Sequence, residues 1–261
     1  MAPRRAGTTR ASSSSRSSAS PSATKKRAVS ASDVLLYYPN LIGYLRIIAM
    51  LASFYYANSD WRLFMALYLT AFGGDVVDGW FARRFNQTSI FGGVLDMVTD
   101  RVSTCGLLAF VGQRVLVLSQ GTSSFEYTLV NLSSVFLIAL DIFSHWFHVM
   151  SVSGHHKSSE SLKHRSALLQ WYYSIYPLFG YACVGTELFF VLIYLLTWDE
   201  PRAWMEGRVP FLPPTVAVLD WNQLLVLLLL PACIIKQAVN VVQLASATNA
   251  LCEADAAEKN R

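Results

Sequence analysis

The stretch GGDVVDGWFARRFNQTSIFGGVLDMVTDR, residues 73–101, decides the fold. It sets four aspartates, Asp75, Asp78, Asp96 and Asp100, inside text that otherwise reads as membrane. A carboxylate is energetically costly in that setting, so each one marks function by default. Spacings of three and four put each pair on a single face of a helix, and the polar run between the pairs reads as a short loop. Two helices joined in this way can converge all four carboxylates. Crowded at low dielectric they repel one another unless cations neutralise them. Hard oxygen donors suit magnesium or manganese, and two such ions leave positions open for phosphate oxygens.

The text around this stretch is apolar throughout. The chain has 261 residues, 53% hydrophobic and 15% charged, with a mean hydropathy of +0.36. That is too apolar for a soluble domain of this size. The expected fold class is all-α, a polytopic membrane protein with six transmembrane helices at about 41–56, 62–82, 91–117, 127–150, 168–197 and 216–245. Pro177 either kinks the fifth or marks where a surface segment passes into it. Before the first span, SASDVLLYYPNLIGYLR (30–46) reads as an N-terminal amphipathic segment that lies in the headgroup layer and is broken by Pro39. Residues 31–250 form one membrane domain, followed by a polar C-terminal tail at 251–261.

Residues 1–30 carry seven Arg or Lys and no acid, and they are rich in serine. Such a segment has nothing to build a core from and is expected to be disordered. It reads as a solvated cytosolic tail drawn to anionic lipid, with a transit sequence as the alternative. No nucleic-acid partner is expected. The positive-inside rule keeps this tail cytosolic. Six spans then place Arg83, Arg84 and the basic run at 155–165 on the same side. The lumenal loop at about 198–215, with its mixed charges, falls opposite. Cys105, Cys183, Cys233 and Cys252 are scattered without metal-ligand spacing and read as free thiols.

Between and beside the aspartates, Gly73, Gly74, Gly79, Gly92 and Gly93 remove side chains where helices and a ligand come close, although Gly73, Gly74 and Gly93 serve plain helix packing equally well. Arg83 sits where a guanidinium can hold a phosphate with two hydrogen bonds, while Arg84 reads as an interfacial anchor. Asp75, Asp78, Gly79, Ala82, Arg83, Gly92, Asp96 and Asp100 spell DxxDGxxAR, eight residues, then GxxxDxxxD. This resembles the signature of the CDP-alcohol phosphatidyltransferases, with every position matched. The stretches YYPNLIGYLRI (37–47), FNQTSIFGGVLDMVTDR (85–101), ALDIFSHWFH (139–148) and the text from Tyr172 to Tyr194 are most similar to the branch of that family that uses inositol in eukaryotes. The resemblance covers roughly residues 35–250.

The resemblance implies that Asp75, Asp78 and Asp96 ligate two divalent ions, Mg2+ or Mn2+, and that Asp100 is a further ligand or the general base. It implies that Gly79 and Ala82 line a cytidine pocket and that Arg83 contacts the diphosphate. Asn40 and Arg46 match a PNxxxxxR element near the CDP headgroup, although Asn40 reads equally well as a helix cap. The implied reaction joins the phosphatidyl group of CDP-diacylglycerol to myo-inositol and releases CMP, in the membrane of the endoplasmic reticulum or Golgi with the site facing the cytosol.

An uncharged polyol calls for hydrogen-bonding side chains, and Asp141, His145 and His148 share a helix face that offers them. Gln87, Thr88 and Arg101 are further acceptor candidates. For Asp141, His145 and His148 an interior hydrogen-bond network is an equal reading. Glycerol phosphate, serine or choline are alternative acceptors, and the small residues are compatible with a homodimer. From another class, an ion or proton transporter also uses intramembrane carboxylates, but it leaves Gly79, Ala82 and Arg83 unexplained.

Overall fold

The computed structural model describes residues 29–118, 124–153, 169, 172, 174–207 and 220–260, and among them every element is a helix. The order is α1 (Ala31–Leu35), α2 (Tyr38–Tyr56), α3 (Trp61–Arg84), α4 (Ile90–Leu118), α5 (Ser124–Ser153), α6 (Tyr176–Leu196), α7 (Asp199–Met205) and α8 (Trp221–Lys259). Six of these are long, and five of the six lie within a few residues of the expected windows or inside them. The basic tail before residue 29, the loop at 155–165 and most of the loop beyond Gly207 lie outside the described residues, and with them the charge pattern behind the expected orientation.

Among the described residues, three helices are long and apolar enough to cross a membrane: Phe125–Val152, Tyr176–Leu196 and Trp221–Lys259. In α2, α3 and α4 the charged side chains of the acidic stretch and its partners lower the apolarity. Large apolar side chains cover the outside of the bundle, among them Leu45, Ile48, Tyr55, Val76, Phe136, Trp146, Leu227 and Ile234. A surface so uniformly apolar is stable in lipid and not in water.

Pro39 separates the short α1 from α2, and Pro177 marks the entry into its helix rather than a kink within it. Pro39 and Pro177 sit in the first turns of α2 and α6, where the missing N–H has no partner to lose. The fifth helix therefore begins at Tyr176. The helix before Pro39 is short: Ser30 and Asp33 form a capping box on α1, and the Ser30 N–H holds the Asp33 carboxyl below its usual range. The last helix continues through Lys259, so the expected polar tail is its final turns, and it carries Pro231 in its interior.

Packing follows the chain only in part. α2 lies along α3 and also against α4, α8 packs on both α5 and α6, and α4 touches α5 and α6. The two helices of the acidic stretch share little direct contact with each other, so α2 mediates between them. An aromatic core joins the ends of α2, α3 and α6. Phe64 stacks on Tyr68 at 5.3 Å and meets Tyr194 at 4.2 Å, surrounded by Leu107, Leu108, Val111, Phe190 and Cys233. A smaller core of Leu169, Tyr172, Ala182 and Val239 joins α6 to α8. All four cysteines are free.

Candidate active site

The loop between α3 and α4 sets the two acidic helices. Asn86 takes a left-handed backbone, φ 53°, and so turns the chain out of α3, while the Gln87 N–H returns to the Ala82 carbonyl at 2.9 Å. Asparagine tolerates that conformation better than most side chains. Ser89 then caps α4, its hydroxyl accepting from the Gly92 N–H at 3.0 Å.

Arg46 of α2 fills the space between the carboxylates. Its Nη1 donates to Asp78 Oδ2 at 2.6 Å and to Asp96 Oδ1 at 2.7 Å. Nη2 donates to Asp100 Oδ1 at 2.6 Å and lies 3.3 Å from Asp75 Oδ1, and Nε donates to the Ala71 carbonyl at 3.1 Å. Only a planar guanidinium has enough donors to serve four carboxylates at once. Arg46 was expected beside the nucleotide; the structure puts it at the centre of the acidic cluster. Its stem crosses Gly74, where a Cβ would stand 2.7 Å from Arg46 Cγ. Gly74 is therefore needed for close approach, whereas a Cβ at Gly73 or Gly93 would meet nothing within 4 Å.

Asp75, Asp78 and Asp96 each offer a carboxylate oxygen, and these atoms lie within 4.8 Å of one another. Three converging hard donors fit a divalent ion. Asp100 is not part of that group, and its Oδ1 accepts from Arg46 Nη2.

Beside the cluster is a pocket of about 190 Å³, lined by Asn40, Asp78, Gly79, Ala82, Arg83, Gln87, Thr88, Gly92 and Asp96 among others. Nearly the whole signature thus faces one cavity. Gln87 and Thr88, taken from sequence as acceptor candidates, belong to this wall, and Gln87 Oε1 also accepts from the Tyr38 N–H at 2.9 Å. Asn40 is not the cap of its own helix, since Tyr37 holds that position. Its Nδ2 donates to the Val34 carbonyl at 2.5 Å and closes the end of α1, while Oδ1 is buried without a partner. Gly92 makes room for that oxygen, because a Cβ there would stand 2.8 Å away.

On the next turn of α4, Arg101 joins a second polar group. Its Nη1 lies 2.8 and 3.0 Å from the two Asp141 oxygens and 3.4 Å from His145 Nε2. His145 Nδ1 is 2.8 Å from the Asp141 carbonyl, which can only accept, so that nitrogen carries the proton and Nε2 is the acceptor. His148 lies one turn further along the same face of α5. Sequence reasoning missed the α8 side of this group. Lys236 Nζ approaches His145 Nε2 at 3.5 Å, Asn240 Nδ2 lies 3.5 Å from Asp141 Oδ1, and Gln243 Nε2 donates to the Ser144 carbonyl at 3.4 Å.

It missed a third group as well. Glu187 of α6 is buried, accepting from the Tyr68 hydroxyl and from Thr104 Oγ1 at 3.0 Å; Thr104 Oγ1 also lies 3.2 Å from the Asp100 carbonyl. A charged residue in an apolar helix was a signal that could have found Lys236 and Glu187.

The sequence profile of the CDP-alcohol phosphatidyltransferase family matches residues 36–248. The chain is 35% identical to a CDP-diacylglycerol–inositol 3-phosphatidyltransferase of Arabidopsis thaliana, across 83% of this chain and 88% of that protein. It is 33% identical to the protein of that name from Schizosaccharomyces pombe, across 87% and 93% of the two chains. The human protein of that name is 30% identical across 87% and 96%. No solved structure matches the chain.

Proposed function

The chain belongs to the CDP-alcohol phosphatidyltransferase family, and from that premise we propose that it transfers the phosphatidyl group of CDP-diacylglycerol to myo-inositol, giving phosphatidylinositol and CMP. The observation that carries the reading is convergence: six of the eight signature residues, Asp78, Gly79, Ala82, Arg83, Gly92 and Asp96, with Asn40 of α2, line one pocket beside the acidic cluster.

Asp75, Asp78 and Asp96 would hold two divalent ions, Mg2+ or Mn2+, which neutralise the charge developing on the phosphates. Gly79 and Ala82 leave the wall of the pocket flat enough for the cytidine. Arg83, exposed at its rim, is placed to grip the diphosphate through its planar fork. Asp100 stands outside the three-carboxylate group and takes the proton from the attacking inositol hydroxyl. The oxygen then displaces CMP from the phosphorus. Arg101, Asp141 and His145 form the polar wall on which the acceptor is held, with His148 one turn beyond. The lipid donor enters sideways from the bilayer, and inositol and CMP exchange with the cytosol, in the endoplasmic reticulum or Golgi membrane.

An acceptor screen tests this. Purified protein with Mg2+ or Mn2+ and CDP-diacylglycerol is offered inositol, glycerol 3-phosphate, serine and choline. Metal-dependent transfer to inositol alone is expected. Transfer to another acceptor in its place would remove the inositol reading, and no transfer to any of them would remove the catalytic one.

A further inference from the structure

Lys236 is a lysine in the middle of the longest helix, nine-tenths buried. Among the described residues no carboxylate pairs with it; its ammonium has only the neutral acceptor His145 Nε2, at 3.5 Å. An ammonium with three N–H donors, taken out of water, is stable only if partners replace its hydration. One of three is accounted for.

The position of those free donors is defined by their neighbours. His145 Nε2 is shared between Lys236 and Arg101, so the two cations meet at one point. Arg101 is otherwise committed to Asp141, which Asn240 approaches from the other side. Arg101 directly follows Asp100 on α4, and Asp100 and Asp141 are both among the charges acting on Lys236. The group thus sets two basic side chains, Lys236 and Arg101, and a neutral imidazole against the carboxylates of Asp141 and Asp100.

We propose that Lys236 is an acceptor-binding residue, its ammonium holding an oxygen of the polyol beside Asp100. The inference rests on the reaction proposed above. As the inositol O–H bond breaks, the proton passes to the Asp100 carboxylate. The oxygen's electron pair forms the new bond to phosphorus, and the phosphorus–oxygen bond to CMP breaks. Lys236 donates an N–H to the attacking oxygen and so stabilises the negative charge that builds there. A hydroxyl accepts from an ammonium as readily as a carbonyl does, so a neutral polyol satisfies the buried donors.

The test uses full-length protein in lipid nanodiscs, comparing wild type with Lys236→Met and Lys236→Arg. Loss of one charged hydrogen bond predicts that Lys236→Met raises the KM for inositol by about tenfold or more, with the KM for CDP-diacylglycerol unchanged. The upward shift in melting temperature produced by inositol is lost, and the shift produced by CMP is kept. Lys236→Arg recovers part of both. An inositol KM and an inositol-induced shift equal to wild type in Lys236→Met would overturn the proposal. So would a wild-type preference for inositol phosphate over inositol, which would make the cations an anion site. Failure of wild type to use inositol at all would instead count against the reaction itself. If Lys236→Met does not fold, as judged by the CMP-induced shift, Lys236→Arg decides: equal inositol and CDP-diacylglycerol penalties would overturn the assignment, and a penalty confined to inositol supports it.

Discussion

Arg46 Nη1 stands 2.6 Å from Asp78 Oδ2, and that contact ties α2 to α3 at the heart of the acidic cluster. The same guanidinium reaches Asp96 and Asp100 on α4. Two helices that share little contact of their own are thus registered by a third, through one side chain.

Arg46→Lys is therefore expected to be far from conservative. A lysine keeps the charge but cannot serve three carboxylates and the Ala71 carbonyl from fixed directions. Transfer activity should fall by about tenfold or more, and the melting temperature should drop. Activity near wild type in a steady-state assay would show that the fork geometry is dispensable.

Asp96→Asn should reduce transfer by more than about a hundredfold while leaving membrane insertion and expression intact, because side-chain size barely changes while a hard anionic ligand is lost. Chelation of divalent ions should reproduce the loss in wild type, with recovery on adding Mg2+ or Mn2+. Turnover close to normal in the variant would refute the metal assignment.

Neighbouring glycines should behave oppositely. Gly73→Ala adds a methyl group where nothing lies within 4 Å, so it should leave activity alone. Gly74→Ala drives its Cβ to 2.7 Å from Arg46 Cγ, on a stem that the carboxylates hold in place. It should cost about 1–3 kcal/mol through forced repacking and lower the transfer rate. Thermal melts and initial rates on the two variants check this, and equal behaviour would contradict it.

Tyr68→Phe removes the hydroxyl that Glu187 accepts from and leaves a buried carboxyl with one donor fewer. The expected cost is about 1–2 kcal/mol of stability. A fall in melting temperature with little change in the KM for either substrate is the expected pattern; an unchanged melt would mean that the hydroxyl contributes nothing there.

The positions of the long helices were legible because a long apolar run favours a helix, although only three of them are apolar enough to cross a membrane among the described residues. Their ends were less so. For Pro177 the sequence left a kink and a helix entry open; the structure has the entry, because proline is harmful inside a helix and harmless in its first turn. That the carboxylates of α3 and α4 could converge was legible from their spacing. Lys236 and Glu187 were passed over because each is the single charged residue of an apolar stretch, with no opposite charge at helical spacing to draw attention to it.

What the sequence by itself determined is local: the helices, the pairing of aspartates on a face, and the signature that assigns the family. Those follow from periodicity within one helix, where residues three or four apart must be neighbours. Only the tertiary structure decided which helices meet. Arg46 reaches Asp100 across 54 positions, Lys236 reaches His145 across 91, and Tyr68 reaches Glu187 across 119. No local pattern records such contacts, because they depend on how rigid apolar cylinders pack, and on buried charges being stable only where that packing brings them a partner.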